Sequence, residues 1–486
     1  MADSMNLISA QISFLVSQYR YLMPLCEGES RAGSLREHLA TGEADQSAHF
    51  QKPHLALIHI PIELYGFCLQ PILRLLFGDD HDEDASSIPW TNRHDFLNIS
   101  ITPVECSIIC SRHLADRFIT PVANVLNRLC KGTTNGSGGA REPKTEIEIS
   151  IEDYIVIQVD GQGLDAGQRV LELTSPLAMA GISIFFITTY FSDYILVPYK
   201  SRRTVTKALQ RRGFVFSHSA DAFISQLSPS SPAVGQGGRA LNSNSPLYFS
   251  ENMSAPSTPP AKDLPELQVR TFTKLKRSNI SPLVDSEVRL ASCAGSREVD
   301  ALRDEQLKSD LLQVLISTST VSDLAGGNGD KVSLTGGGIS VNKNHSADVN
   351  GGAGGDGMDF GAKFLSLTIT AGEPISVLVE HRLLERIGQS LLGAKAKEDA
   401  LIPITLDLRD LPLDATGIVC GVAGRLAQGD LDDDGEFSTD KAEAIEISFL
   451  STARAGTVIV RASQLQKALD ALEYGMKRVA DVAIAG

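Results

Sequence analysis

The clearest apolar pattern of the chain lies between Gly181 and Val197, where β-branched and aromatic residues fill two arms on either side of Phe191-Ser192-Asp193. Such residues favour strands, so the pattern predicts two adjoining strands joined by a turn. A helix-like segment precedes them at 164–180, and a basic helix-like segment follows at 200–212. The order helix–strand–strand–helix is the inner part of a βαββαβ unit.

The same pattern occurs more than once along the chain. Leu450 to Val460 aligns without a gap with Ile187 to Val197. Phe364 to Thr370, followed by Glu373, mirrors Phe96 to Thr102, followed by Glu105. The order A-B-A′-B′ therefore predicts an α+β fold of four tandem βαββαβ units, arranged as a duplicated pair with long disordered inserts.

Composition shifts place the expected boundaries. Stretches rich in Ser, Pro, Gly or acids cannot bury enough apolar surface to fold, so we expect them to be inserts or linkers. The expected parts are unit one at 6–130 (opening strand 6–16, insert 27–52), unit two at 147–216, a disordered linker at 217–262, unit three at 265–395 (glycine-rich insert 322–361) and unit four at 400–482 (acidic insert 429–442).

Two details are left open by the sequence. The first strand of unit three is either Leu267 to Thr273 or Glu287 to Cys293. The linker carries Ser-Pro or Thr-Pro at four positions, so it is either a plain flexible segment or a target of proline-directed kinases: Ser228, Ser231, Ser245 and Thr258.

The overall charge limits the classes of partner. The 486 residues carry a net charge of −15, which argues against a nucleic-acid surface and favours protein or small-molecule partners. The start of the chain shows no basic leader, and Leu173 to Ser192 contains Pro176 and several hydroxyl residues. We therefore expect a cytoplasmic protein without a membrane span, with a homo-oligomer left open. Seven scattered cysteines without a CxxC pair are expected to be buried reduced thiols.

Motifs for catalysis are weak. Gly161 to Ala166 fits the dinucleotide pattern G-x-G-x-x-A, but the following strand turns back into its neighbour, which favours a tight strand-to-helix turn. Asp430 to Phe437 copies half of an EF-hand loop, but Lys441 stands where the bidentate Glu belongs, so an acidic insert is expected. No catalytic triad, metal spacing or P-loop is visible, and we expect no enzyme, no cofactor and no metal.

One turn has chemistry that suits binding. Asp414-Ala415-Thr416-Gly417-Ile418 links a strand to a helix, and the N–H groups at a helix N-terminus suit a carboxylate. The segment Ile182-Ser183-Ile184 could offer backbone groups to an α-amino group if units two and four pack together. An amino acid carries both groups, so the pair suits an amino-acid regulatory site.

At these residues the chain resembles the CASTOR family, the cytosolic arginine sensors of the TOR pathway, which are built from four tandem ACT domains. The resemblance covers about two fifths of the chain and is best over Gly181 to Val197 and Pro412 to Val460. It implies nutrient sensing, with an amino acid between units two and four. The implied ligand contacts are Ser183, Ile184, Thr416, Gly417, Ile418 and Thr452, and Asp414, the acid that starts the same turn, is a further candidate ligand residue. The implied surface for a GATOR-type protein complex is Tyr190, Phe191, Ser192 and Asp193.

Two positions depart from the family pattern. The loop acid of the family falls on Ala415, and the aspartate that faces the guanidinium falls on Gly456. Arginine without these acids would lose charge-assisted hydrogen bonds of about 1.5–3 kcal/mol each, which favours a smaller or uncharged amino acid, or no ligand. The alternatives to a sensor are a ligand-independent ACT-domain scaffold and a regulatory subunit of an amino-acid biosynthetic enzyme.

Overall fold

The computed structural model describes residues 54–78, 89–133, 146–159, 166–212, 214–216, 225–229, 261–285, 287–295, 301–325, 331–335, 338–342, 361–371, 373–393, 400–427 and 445–484. Several expected features lie outside these residues: the opening strand 6–16, the inserts 27–52 and 429–442, and the turn 161–165.

The described residues form strands, many of them consecutive along the chain, with helices between groups of strands. The strands are β1 (Leu55–Pro61), β2 (Phe96–Ile101), β3 (Glu105–Ser111), β4 (Glu148–Ile149), β5 (Tyr154–Val159), β6 (Phe185–Thr188), β7 (Asp193–Pro198), β8 (Phe214–Phe216), β9 (Ser225–Pro229), β10 (Pro282–Val284), β11 (Leu290–Ala294), β12 (Lys331–Thr335), β13 (Gly338–Asn342), β14 (Leu365–Thr370), β15 (Glu373–Glu380), β16 (Leu401–Asp407), β17 (Ile447–Ser451) and β18 (Ala455–Arg461). The helices are α1 (Tyr65–Phe77), α2 (Thr120–Thr133), α3 (Ala166–Met179), α4 (Arg202–Gln210), α5 (Leu264–Arg277), α6 (Ala301–Ala325), α7 (Leu384–Ile387), α8 (Ile418–Ala427) and α9 (Leu465–Ile484). The predicted pair of strands around residue 190 is confirmed as β6 and β7.

Three strands pair in the same spatial order in four parts of the described chain. We call these parts unit A (β1–β3), unit B (β5–β7), unit A′ (β11, β14 and β15) and unit B′ (β16–β18). In each unit the first strand pairs with the third and the third with the second, always antiparallel. A helix follows the first strand and another follows the third, which is the connectivity of a split βαβ unit.

The sheets of the four units join into one closed circuit. Unit A pairs with unit A′ through β2 and β14, over six residue pairs. The other three junctions are single bridges: Leu450 with Ile187, Leu55 with Tyr154, and Leu290 with Leu401. Each unit therefore meets two neighbours through its edge strands, and β4, β9 and β10 pair with further residues of the β1, β5 and β16 edges.

The circuit has an internal two-fold relation that follows the sequence repeat. Phe186 N–H donates to Ser451 Oγ at 3.0 Å, and Phe449 N–H donates to Thr188 Oγ1 at 3.1 Å. Phe186 aligns with Phe449, and Thr188 with Ser451, in the repeat of Ile187 to Val197 by Leu450 to Val460. The β6–β17 junction is thus made twice by equivalent residues.

Two glutamates fasten the units across the circuit. Glu105 of unit A is fully buried. One of its carboxylate oxygens accepts from Thr452 Oγ1 and from Arg454 N–H, both at 2.6 Å, and the other accepts from His59 Nδ1 at 2.5 Å. This carboxylate therefore attaches the tip of the β17–β18 hairpin to unit A.

Glu373, the repeat equivalent of Glu105, attaches unit A′ to unit B. Its carboxylate accepts from Gln158 Nε2 at 2.9 Å, Ser192 Oγ at 2.5 Å and Tyr194 OH at 2.9 Å. The duplicated chain therefore uses one acid twice, with different donors at the two places.

The two faces of each strand contribute to different cores. Along β5, Ile157 and Val159 pack with helices α3, α4 and α8. Tyr154 and Val156 point to the opposite face and join a cluster that includes Leu55 of unit A, residues of unit A′ and residues of unit B′. Strands buried on both faces need apolar residues at nearly every position, which explains the unbroken apolar runs of the sequence.

The structure corrects the beginning of unit three. Leu267 to Thr273 is part of helix α5 and not a strand, and β11 occupies the alternative position. Asp263 caps α5 by accepting from Glu266 N–H at 2.8 Å, and Glu266 pairs with Arg270 one turn later. This capping pattern and the helical spacing of Leu267, Thr271 and Leu275 outweigh the local strand propensity.

Short strands also occur inside two expected inserts. Strand β9, within the expected linker 217–262, pairs in parallel with β5 and antiparallel with β8. Strands β12 and β13, within the glycine-rich insert 322–361, form a hairpin of their own. Disorder throughout these two segments was therefore too broad an expectation.

We predict that Glu105→Ala lowers the free energy of unfolding by about 3 kcal/mol, because it removes the acceptor of His59 Nδ1 and of the Arg454 N–H and leaves the Thr452 hydroxyl with only the Ala455 carbonyl. Urea denaturation of both proteins measures the difference. The matched control is Glu63→Ala, since Glu63 is exposed in the same unit. A loss no larger than that of the control would show that the buried carboxylate does not fasten the units.

The buried His94 gives a pH prediction. Burial lowers the pKa of His94 to about 4, so the unfolded chain binds this proton first as the pH falls below about 6.5. The contribution of His94 to the free energy of unfolding is fully present above that pH, and it is lost as the pH falls toward 4. The fall in unfolding free energy between pH 7 and pH 4.5 should therefore be smaller by about 2 kcal/mol in His94→Gln. The exposed His113→Gln should behave like the wild type, and an equal pH dependence in all three proteins would contradict the prediction.

Candidate functional site

The predicted ligand loop lies beneath helix α5. Gly417 has a φ of +82°, a conformation that favours glycine, and Ile418 begins helix α8. Thr271 Oγ1 donates to the carbonyl of Gly417 at 3.0 Å, and Lys274 Nζ donates to the carbonyl of Thr416 at 3.1 Å. The carbonyl side of this loop is therefore held by the chain itself.

A row of glycines lets α5 approach this closely. A Cβ added at Gly421 would lie 2.4 Å from Thr271 Oγ1, and one added at Gly417 would lie 2.8 Å from Leu267 Cδ1. On helix α9, a Cβ at Gly475 would lie 2.6 Å from the Phe272 ring. Contacts shorter than 3 Å cannot be relieved without movement of the backbone or of a buried side chain, so only glycine fits at this crossing of helices.

The two segments of the predicted cleft share one hydrophobic cluster. Ile184 and Ala415 both pack against the core that contains Ile182 and Ile418. Ser183, between Ile182 and Ile184 in the sequence, is also buried. Helix α3 packs on α8 in the same region, where Thr174 and Cys420 are both buried. The structure therefore brings the 182–184 segment and the 415–418 loop into one part of the molecule.

Thr452 is the predicted contact that the structure places elsewhere. Its hydroxyl donates to Glu105 of unit A, and its N–H donates to Ala455 in its own hairpin. Asp414 is exposed and lies on the rim of a cavity between units A, B and B′. These two residues border the contacts of unit A rather than the buried loop.

The charge next to the buried loop is positive. Lys274 is half-buried, and burial lowers its pKa, with a further lowering from Arg270 and an opposing attraction from Asp414. Gly456 has Leu408 and Phe449 as its neighbours, so the acid that the CASTOR resemblance would place there has no counterpart. A lysine ammonium and a helix N-terminus both favour an anionic group, such as the carboxylate of an amino acid.

The predicted partner surface is partly buried. The Tyr190 side chain is 41% exposed, and its ring contacts the Phe191 ring at 4.9 Å between centroids. Asp193, in contrast, is 1% exposed and forms an ion pair with Arg169, and burial raises its carboxyl pKa. The prediction that Asp193 contacts a partner is therefore corrected, because its side chain is buried in an ion pair inside the protein.

Helix α5 and the contacts that Glu105 and Glu373 make with other units were the structural features that sequence reasoning missed. The repeat of Glu105 by Glu373 was visible, but the partners of each acid come from another unit. The cap at Asp263 was the available signal for α5.

Within the described residues, no group of three or more His, Cys, Asp or Glu is arranged to hold a metal. No described helix is long and apolar enough to cross a membrane.

One of the comparisons with known proteins matches a defined region of the chain. Residues 149–211 match the family model described as ACT domain. A search of curated proteins found no match. Among solved structures, a crystal structure of aspartate kinase from Synechocystis matches with 12% identity and a TM-score of 0.24. That match covers 88% of this chain, and the chain spans 55% of the kinase chain. Residues 149–211, which contain unit B, are an ACT domain.

Proposed function

We propose that the chain is a non-enzymatic regulatory protein that binds an amino acid between units B and B′, and that its four units are all of ACT type. The observation that carries the proposal is the reciprocal junction of β6 with β17. Through it, the ACT domain at 149–211 meets a second unit of the same strand order. Two such units in edge contact bring a backbone segment and a helix N-terminus to one interface.

The residues at this interface suit a zwitterion. The start of α8, with Lys274 beside it, offers positive charge to the α-carboxylate. The backbone at Ser183 and Ile184 supplies acceptors for the α-ammonium group. Positions 415 and 456 are Ala and Gly, and neither offers a carboxylate to a guanidinium group. This favours a ligand with an uncharged side chain over arginine.

Helix α5 is the element through which occupancy would be transmitted. It contacts α8 through Thr271, and it contacts the loop through Lys274. A ligand that binds more tightly when α5 is slightly displaced would shift the equilibrium between the two positions of α5. The free energy of that shift is limited to the difference in binding free energy between the two states. Tyr190 is the exposed member of the proposed partner surface. The comparisons give no support to the TOR pathway or to a GATOR-type partner. We therefore propose a protein partner without naming it.

The ligand-independent scaffold is the second candidate, and a specific observation favours it. The carbonyls of Thr416 and Gly417 are already satisfied by side chains of α5. A permanently seated α5 would leave the loop closed to ligands, and the chain would then act through its fixed surface.

Thermal denaturation with each of the twenty amino acids separates the two candidates. A ligand at roughly one hundred times its dissociation constant should stabilise the folded chain by about 2.7 kcal/mol. We expect one or a few uncharged amino acids to raise the melting temperature. Absence of any shift at millimolar concentrations would favour the scaffold.

Lys274→Met tests where the amino acid binds. The substitution keeps the apolar stem and removes the ammonium group, so affinity for the stabilising amino acid should fall about tenfold, as for one charge-assisted hydrogen bond. Lys276→Met on the exposed face of the same helix is the matched control and should bind like the wild type. Calorimetric titration measures both affinities, and equal affinities in the two variants would place the ligand elsewhere.

A further inference from the structure

A cavity of about 360 Å³ lies where unit A, unit B and unit B′ meet, and Leu413 and Asp414, at the start of the turn under α5, line one side of it. Its inner wall is formed by buried side chains, among them Leu57, Tyr154 and Ala453. Its rim is formed by charged side chains that come from four separate segments of the chain, at 148–152, Lys200, Asp414 and Arg454. Such a combination of apolar wall and few polar groups is typical of a small-molecule site.

The charges of the rim do not cancel. Glu148 pairs with Arg454, and Glu152 pairs with Lys200. Asp414 is the remaining rim carboxylate, and it forms no ion pair with a described residue; Lys274 acts on it only through longer-range attraction. The rim therefore has an excess of negative charge, and that charge is centred on Asp414.

A buried histidine on the wall adds a hydrogen-bond acceptor. His59 is 5% exposed, lines the cavity, and donates through Nδ1 to the buried Glu105. In the tautomer that carries its proton on Nδ1, the ring presents a lone pair at Nε2. No described residue bonds to this Nε2, so it is left for a ligand that carries N–H groups.

The pKa of the Tyr154 phenol also indicates negative charge near the cavity. Burial raises its pKa to about 12, the charges of Glu152 and Asp414 add to the increase, and the charge of Arg112 opposes it. Negative charge near an aromatic ring on an apolar wall favours a cation, which also gains from contact with the ring face.

We propose that this cavity binds a small organic cation with a primary ammonium group on a short apolar stem. Asp414 and His59 Nε2 accept hydrogen bonds from the ammonium group, and Leu57, Tyr154 and Ala453 contact the stem. The cavity joins three units, so its occupant also stabilises their contact. This ligand needs no carboxylate, so the site differs in chemistry from the amino-acid site proposed between units B and B′, although Asp414 belongs to the same turn as Thr416 and Gly417.

Calorimetric titration of the full chain with n-butylamine at neutral pH tests the proposal, with n-butanol as the uncharged probe of equal stem. We expect saturable binding of n-butylamine with a dissociation constant of roughly 1 mM, and binding of n-butanol at least about tenfold weaker. Asp414→Asn should weaken n-butylamine binding about tenfold. The exposed neighbour Asp410→Asn, which does not line the cavity, should leave it unchanged.

Two further arms make the result decisive. Lys274→Met should bind n-butylamine as tightly as the wild type or tighter, because it removes a positive charge near Asp414, although it is expected to weaken amino-acid binding. No saturable binding of n-butylamine up to about 20 mM, or equal affinity in Asp414→Asn and Asp410→Asn, would overturn the proposal. Equal affinity for n-butanol and n-butylamine would do the same, since the ammonium group would then contribute nothing.

Discussion

The structure depends on how each unit covers the sheet edges of its neighbours. An exposed strand edge carries unpaired N–H and C=O groups that attract other chains. In this chain β2 pairs with β14, and β6 meets β17 through two equivalent N–H to hydroxyl hydrogen bonds. The bridges from Leu55 to Tyr154 and from Leu290 to Leu401 complete the circuit. Because the chain is duplicated, each half supplies the edge that the other half lacks.

Buried polar groups fix how the units meet. Glu105 and Glu373 each accept hydrogen bonds from another unit, and one of them is fully buried. A buried carboxylate is costly unless its lone pairs are satisfied, so these contacts favour one arrangement of the units over others. The proposed sites both lie at such junctions, which is why a ligand at either one would act on the contact between units.

Much of the secondary structure could be predicted from the sequence because it depends on local periodicity. Strands β6 and β7 follow from the β-branched run after Gly181, and the repeat of Glu105 by Glu373 indicated the duplication. The closed circuit could not be predicted, since its junctions at Ile187 and Leu401 rest on single residue pairs far apart in the chain. The burial of Asp193 depends on Arg169, a partner from the preceding helix that no spacing rule identifies. Helix α5 was ambiguous because its apolar positions fit a strand as well, until the cap at Asp263 is considered.

Hydrogen exchange of the full chain, followed by mass spectrometry of peptides that cover β6 and β17, tests the closed circuit most directly. The account predicts that the amides of Phe186 and Phe449 are protected to the same extent and exchange together, in a single opening of the B–B′ junction. Rapid exchange of either amide, as expected for a free strand edge, would contradict the account.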